Sequence, residues 1–343
     1  MKKIIVFSLL CLASVLAGCS ESSTSEVGPG EPAGPAEVEE GYVVPSFEIS
    51  RHYGVTGFNV LGRGYDITAT YADPGQIKEA VVNLDSLNKY YPEAISVGDM
   101  DDVSEGFTVQ GDSPQDFCMN MGLRAGCISP TSLFAGTLDI LGYSVSDLIS
   151  GQYSMLMYEA RFYDQQMRIK ASAELLKQYA ISLQAAISFR TPEEIIRIYG
   201  THVYTTIYTG NRFQAIYAAR PGLPESLLRK YAVHHLKEVF GISVPGSIEQ
   251  GYVYDRNMCE RISFETFGGD FLTNGRGVVV IGSQTNPKID PFPWKKNSDD
   301  RSKMVVIDNG GDLGIPIYEL VQDEAKKADL KTAVEKYIRK NTL

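Results

Sequence analysis

The chain has 343 residues, 43% hydrophobic and 22% charged, enough apolar mass for one large domain or two ordinary ones. Its formal net charge of −10 at pH 7 argues against nucleic acid as a partner and against adsorption to anionic lipid by charge alone. Beyond the N-terminal segment, no apolar run approaches the roughly 20 residues that a membrane-spanning helix needs.

The N-terminus reads as an export signal. Lys2 and Lys3 supply a positive n-region, and Ile4 to Leu16 form an apolar h-region too short to span a bilayer. The run closes on Leu16-Ala17-Gly18-Cys19, which looks like a bacterial lipobox. The expectation is a signal peptide over 1–18, cleavage before Cys19, and covalent lipid on that cysteine. Two or three acyl chains, at roughly 0.8 kcal/mol per buried methylene, make a stable anchor. The expected location is the bacterial cell envelope, with that lipid as the only cofactor. Residues 19–41 are Ser, Gly, Pro, Ala and Glu with almost nothing apolar, and read as a flexible tether. The folded domain is expected over 42–343.

Within it, Tyr65 to Tyr71 alternates and is entered through Gly62 and Gly64, which predicts a strand. Asp99, Asp101 and Asp102 predict a turn rather than a calcium loop, because no ordered loop with a ligand glycine surrounds them. Pro130 to Ile149 sets Leu133, Phe134, Leu138, Leu141, Val145 and Leu148 at mostly helical spacing. The Tyr-rich stretch Gln152 to Lys170 predicts a long strand in its first half. Leu176, Tyr179, Ala180, Leu183 and Ile187 form a helical stripe. Thr191-Pro192-Glu193-Glu194 is a capped helix start, and that helix should end at Tyr199-Gly200. Val203 to Ala219 returns to strand composition. Pro224 to Phe240 is amphipathic, with Leu228, Tyr231, Ala232, Leu236, Val239 and Phe240 on one face. Its adjacent His234 and His235 point to different helix sides and predict a solvated face rather than a ligand pair. Val278 to Ile281 is a short buried strand, Asp308 to Asp312 a Gly-rich turn, and Glu324 to Lys340 a closing helix with basic residues in its last turn. Strands interrupted by helical clusters make an α+β pattern.

Cys118, Cys127 and Cys259 remain in the mature chain, and two readings stay open: a Cys118–Cys127 disulfide, or three buried thiols. No Gly-x-Ser-x-Gly, P-loop, His-Glu-x-x-His or dinucleotide fingerprint occurs, so neither an enzyme nor a metal site is expected.

One stretch is sharper than the rest. Tyr199-Gly200-Thr201-His202-Val203, placed between a capped helix and a strand, resembles the signature of the membrane attack complex/perforin (MACPF) family. Leu61 to Asp66, Phe264-Glu265-Thr266-Phe267-Gly268-Gly269 and Ile315 to Leu320 resemble further landmarks of that family in the same order. The resemblance covers roughly 42–343, points to the bacterial lipoprotein type and implies placement at the outer membrane or cell surface. It implies a bent, twisted antiparallel sheet flanked by two helical clusters, Ser113 to Ile149 and Pro221 to Gln250, that unfurl into membrane hairpins. It further implies that Gly200, Gly268 and Gly269 sit near the bend and that His202 is structural. The family's Gly-Gly pair after the signature strand is here Gly210-Asn211, and no added C-terminal module follows the domain.

The function expected from the resemblance is a pore-forming or antibacterial toxin-like surface lipoprotein that oligomerises on a target membrane. Its partners would be membrane lipid, further copies of itself and a receptor or glycan, with no nucleic acid. The alternative is a non-lytic adhesin or glycan-binding protein on the same fold.

Overall fold

Two long strands organise the fold. The computed structural model describes residues 43–46, 59–100, 103–244, 258–269, 275–282, 286–290 and 304–343, all within the unit Val38–Leu343. The lipobox, Cys19 and the tether through residue 41 lie outside these residues, as do Asp101 and Asp102.

In chain order the strands are β1 (Val43–Ser46), β2 (Gly64–Tyr65), β3 (Ile95–Asp99), β4 (Ser104–Gly111), β5 (Ser154–Ile169), β6 (His202–Val203), β7 (Thr206–Arg220), β8 (Cys259–Phe267), β9 (Arg276–Ile281), β10 (Val305–Asp308) and β11 (Ile315–Pro316). The helices are α1 (Leu84–Tyr90), α2 (Pro114–Arg124), α3 (Val145–Ser150), α4 (Ala173–Tyr179), α5 (Ile181–Phe189), α6 (Pro192–Tyr199), α7 (Glu225–Phe240) and α8 (Glu324–Asn341). The large sheet is antiparallel throughout and runs β1-β9-β8-β7-β5. At β5 the lower half pairs with β4, from Ser104↔Phe162 to Gly111↔Met155, and the upper half with β3, from Ile95↔Ile169 to Asp99↔Gln165. On β7, β8 covers Arg212 to Arg220 and β10 covers Tyr208 to Gly210. Both long strands therefore change outer partner at one level. At that same level β5 carries a bulge between Tyr163 and Gln165, and a bulge bends and twists its strand.

Burial on both faces explains why β5 does not alternate apolar with polar. Met155 and Met157 enter one core with Phe117, Met121, Leu138 and Leu141. Leu156, Tyr158 and Ala160 enter the other, with Leu228, Ala232, Leu236, Val239 and Phe240 of α7. The fold is α+β, with helices on both faces of an antiparallel sheet, as expected.

Local chemistry sets several boundaries. Thr191 and Glu194 form a reciprocal capping box at the start of α6, with Pro192 at its first position, and Gly200 ends the helix at φ 78°. The final helix buries Leu330 and Val334 and carries Arg339 and Lys340 in its last turn. Three expectations are corrected. The strand expected over Tyr65 to Tyr71 stops at Tyr65, because the Asp66 side chain accepts from both the amide (2.9 Å) and the hydroxyl (2.8 Å) of Thr68 and turns the chain. The helix expected over Pro130 to Ile149 is a 3-10 turn, Ala135–Leu141, followed by α3. Left-handed backbone at Phe134 (φ 59°) and Gly142 (φ 69°) bounds the turn, although Leu133, Leu138, Leu141 and Leu148 are buried as the spacing requires. The stripe from Leu176 to Ile187 is split into α4 and α5 at Ala180.

Double burial makes β5 sensitive to truncation. Leu156→Ala should lower the unfolding free energy by about 2–5 kcal/mol, whereas Val97→Ala, at a half-exposed position on β3, should change it by less than about 0.5 kcal/mol. Denaturant titration measures both; equal small shifts would contradict the two-sided packing.

Candidate functional site

The MACPF-like segment is a knot of three distant pieces of chain. β6 pairs with β2 on one side and β11 on the other, so His202 lies opposite both Tyr65 and Pro316. The Thr201 hydroxyl accepts from the Ile67 amide at 3.1 Å, its own amide donates to the Tyr65 carbonyl at 2.9 Å, and its carbonyl accepts from the Ile317 amide at 3.0 Å. Glycine is forced here: a Cβ on Gly64 would lie 1.7 Å from the Tyr199 carbonyl oxygen, and one on Gly200 2.3 Å from that of Tyr65. Tyr65 stacks on Tyr204 at 4.0 Å and donates to the Leu313 carbonyl at 2.6 Å. His202 is buried with Nδ1 3.2 Å from the Thr201 hydroxyl, and burial lowers its pKa to about 4.

A buried ionic cluster occupies the level of the bulge. Arg161 and Arg212, facing each other across β5 and β7, are both essentially inaccessible to solvent. Arg161 donates from Nε to Glu159 Oε2 at 2.9 Å, has Nη2 2.7 Å from the same oxygen, and donates from Nη1 to Asp308. Arg212 lies 3.7 Å from the other Glu159 oxygen and donates to the carbonyls of Tyr71 (3.2 Å) and Ile307 (3.3 Å), with its guanidinium 4.0 Å from the centre of the Phe267 ring. Burial disfavours the Arg161 cation, but Glu159, Tyr71 and Asp308 outweigh it and raise its pKa. Burial first, then the charge of Asp308, push the Tyr71 hydroxyl above its ordinary range; that hydroxyl also donates to Asn309 at 2.8 Å. The chain departs from ordinary strand backbone nearby. Gly210 has φ 153° opposite Tyr163, and a Cβ there would lie 2.0 Å from the Phe162 carbonyl oxygen. Gly268 and Gly269 follow β8 with φ 75° and 72°, just beyond the Phe267↔Arg212 pair.

Both helical clusters leave the sheet at its opposite end. The chain between β4 and β5 holds α2, the 3-10 turn and α3, and the connection leaving β7 toward β8 holds α7; Gly111↔Met155, Ser154↔Ala219 and Arg220↔Cys259 mark one shared edge. The two clusters enter separate cores on opposite faces of the sheet. The first is fastened at the C-terminus of α2, where Asn309 Nδ2 donates to the Ala125 carbonyl at 3.2 Å and Gly126 abuts Gly311 so closely that a Cβ would lie 2.1 Å from its oxygen. It is fastened again where Arg261 of β8 donates to the Leu141 carbonyl at 2.8 Å and packs over Tyr143. α7 is held by Phe240 packing edgewise on Phe213 and Phe264, by Arg229 donating to Thr108 at 3.1 Å, and by the Ile289 amide donating to the Val239 carbonyl at 2.7 Å.

The Cys118–Cys127 disulfide is not formed. Cys118 faces the core from within α2, where burial pushes its thiol up to about 12, while Cys127 lies beyond the helix with Sγ 2.9 Å from the Ser129 carbonyl; Cys259 is free as well. The expected solvated histidine pair is also corrected. His235 is fully buried, stacked on Tyr217, with Glu238 and Glu260 beside its ring, and only His234 faces solvent. Asp308 to Asp312 is the expected turn, but Asp308 and Asn309 are buried partners of the ionic cluster. Glu159, Arg161 and Arg212 went unread in the sequence; the available signal was opposite charge at 159 and 161 inside an apolar strand.

No family model and no curated sequence matches the chain. Among solved structures it is similar to a protein with a MAC/Perforin domain from Bacteroides thetaiotaomicron, with a TM-score of 0.62 and 18% identity over 85% of this chain and 63% of that one. It is also similar to GNIP1Aa from Chromobacterium piscinae, with a TM-score of 0.61 and 13% identity over 84% of this chain and 57% of that one. The chain thus spans less than two thirds of the length of either. The fold is the membrane attack complex/perforin-like fold.

The buried His202 links this fold to pH. Its folded-state pKa, near 4, lies below the value of about 6.5 in an unfolded chain, so the unfolded state takes up the proton first. Its contribution to stability is therefore fully present above about pH 6.5 and is lost as pH falls toward 4, by about 3 kcal/mol in all. The difference between wild-type and His202→Gln unfolding free energies, followed from pH 7.5 to 4, should shift by that amount in favour of the variant. A constant difference would contradict the burial of a neutral imidazole.

Proposed function

We propose that this protein is a lipid-anchored surface protein of the bacterial envelope that assembles on a target membrane and perforates it, without enzymatic activity. The observation that carries this reading is the placement of both helical clusters at one end of β4-β5-β7-β8. Straightened, the first cluster continues β4 and β5 as a hairpin and the second continues β7 and β8 as its neighbour. A spanning barrel strand takes about 9–11 residues, so two strands and a turn need somewhat over 20; residues 112–153 and 221–258 each exceed that. Among the described residues no helix is long and apolar enough to cross a membrane, and the proposed route into lipid is through strands. A closed barrel satisfies every backbone group in the hydrocarbon, which a single pair of hairpins does not. Assembly of several copies is therefore part of the proposal, with membrane lipid and further copies of the chain as partners and a receptor or glycan selecting the target.

A second reading, a non-lytic adhesin or glycan-binding protein, draws support from α7. Its alternate positions Leu227, Arg229, Tyr231, Val233 and His235 mix apolar and charged side chains, whereas a lipid-facing barrel strand alternates cleanly.

A reversible clamp separates the two. With Cys118, Cys127 and Cys259 replaced, Phe240→Cys and Phe264→Cys, whose native rings pack at 5.2 Å, should be joined by a short reducible bis-thiol cross-linker that spans the space of the two rings and holds α7 on the sheet. The cross-linked variant should release no dye from phospholipid vesicles, and reductant should restore release. Release unaffected by the clamp would contradict the unfurling of α7, and a wild-type protein that binds vesicles but never releases dye would establish the non-lytic reading.

The anchor is tested separately by Cys19→Ser. This variant should incorporate no labelled fatty acid in cells; labelling at the wild-type level would sink the lipoprotein assignment.

A further inference from the structure

We propose that His234, His235 and Glu238, on one turn of α7, bind a divalent transition-metal cation of the zinc class. The geometry is close to assembled. His235 Nδ1 lies 3.3 Å and His234 Nε2 3.9 Å from the same oxygen of Glu238, and the three ligand atoms fall within 4.8 Å of one another. Ligands about 2.0–2.1 Å from a tetrahedral ion stand about 3.3–3.4 Å apart. His235 already stands at that spacing from Glu238, and closing the site requires the His234 ring, whose side chain is 39% exposed, to turn inward.

Two surrounding contacts support a ligand role. The other ring nitrogen of His235, Nε2, faces Glu260 Oε1 at 3.8 Å, and Glu260 accepts from the Tyr217 hydroxyl. A carboxylate behind the imidazole is the usual arrangement for a metal-bound histidine. Glu238 is steadied in turn by Asn286 Nδ2, which donates to Oε2 at 2.9 Å.

The donor set selects the metal. Two imidazoles suit Zn²⁺, Cu²⁺ or Ni²⁺ rather than Ca²⁺ or Mg²⁺, which take oxygen ligands. Lys237, Lys288 and Asp290 line the adjoining cleft. Once bound, the ion holds α7 helical. In a helix, residues 234 and 238 are neighbours one turn apart. In a strand they are separated by roughly 13 Å, and 235 and 238 point to opposite faces. A cation at 100 times its dissociation constant therefore favours the helical state about 100-fold. This consequence for perforation rests on the proposed unfurling of α7; the site itself does not.

Zinc sulfate titrated into the full-length detergent-solubilised protein, followed by calorimetry, should show one saturable equivalent. Co²⁺ should give d–d absorption of a site with nitrogen ligands. His234→Ala and Glu238→Gln, both at partly exposed positions, should each weaken binding at least tenfold while keeping the wild-type far-ultraviolet circular dichroism. Amide exchange across 225–240 should slow at least tenfold with zinc in the wild type and in neither variant. Absence of saturable binding below millimolar zinc, or binding unchanged in both variants, would overturn the site. Zinc that binds without slowing exchange in 225–240 would overturn the clamp. Dye release is not needed for any of these readouts, so failure of the perforation reading is scored independently.

Discussion

At the bend, two guanidinium groups lie inside the protein, each set against a carboxylate that is itself buried or nearly so. Glu159 is shared by Arg161 and Arg212, and Asp308 completes the neutralisation from β10. Taking each ion out of water costs several kcal/mol, and leaving one uncompensated after removing its partner costs about 3–5 kcal/mol. The cluster therefore specifies a geometry more than it adds stability. β5, β7 and β10 must meet at one level, or a charge is stranded. Bulge, Gly210 and the change of outer partners all fall at that level. The bend also carries a burden, since Asn211 is buried with neither side-chain amide atom hydrogen-bonded among the described residues; an unsatisfied buried polar group costs about 1–3 kcal/mol.

The same cluster ties the bend to both the knot and the first helical segment. Asp308 pairs with Arg161, Asn309 holds Tyr71 and the end of α2, Asp312 accepts from Thr205 (3.1 Å) and Thr206 (3.0 Å), and the Leu313 carbonyl accepts from Tyr65. Four residues of one short segment thus touch the sheet bend, the MACPF-like segment and the cluster proposed to unfurl. The second cluster has no such bond to this turn among the described residues. Its attachment is chiefly the apolar face of α7, with Leu228, Leu236 and Val239 against the sheet, beside the bonds from Arg229 to Thr108 and from the Ile289 amide to the Val239 carbonyl. An apolar face is the kind of attachment that lipid can replace, because hydrocarbon solvates those side chains as the sheet does. The hydrogen-bonded latch of Asn309 on the first cluster is not replaceable in that way, so the two clusters have different requirements for release.

What was legible in the sequence was local. The capping box at Thr191 and Glu194, the stop at Gly200 and the stripe of α7 each depend on residues within a few positions, and each stands as read. Tyr65 to Tyr71 misled because a single side chain, Asp66, outcompetes strand pairing. Pro130 to Ile149 misled because its buried residues keep nearly helical spacing while Phe134 and Gly142 take left-handed backbone. The ionic cluster was out of reach, since Arg161 and Asp308 are 147 positions apart and no short motif joins them. His235 was misplaced for a related reason. Its burial comes from Tyr217 on β7 and Glu260 on β8, which the helix pattern does not contain.

Perforation as proposed requires α7 to change from helix to strand when the protein enters a membrane. Single cysteines placed in turn along 225–240, in a background without Cys118, Cys127 and Cys259, and labelled with an environment-sensitive dye, measure this directly. Soluble protein should show emission varying with a period near 3.6 residues, as the buried face of α7 requires. Membrane-bound protein should show alternation of lipid and water environments with a period of two. Persistence of the 3.6-residue period in membrane-bound protein would contradict the account.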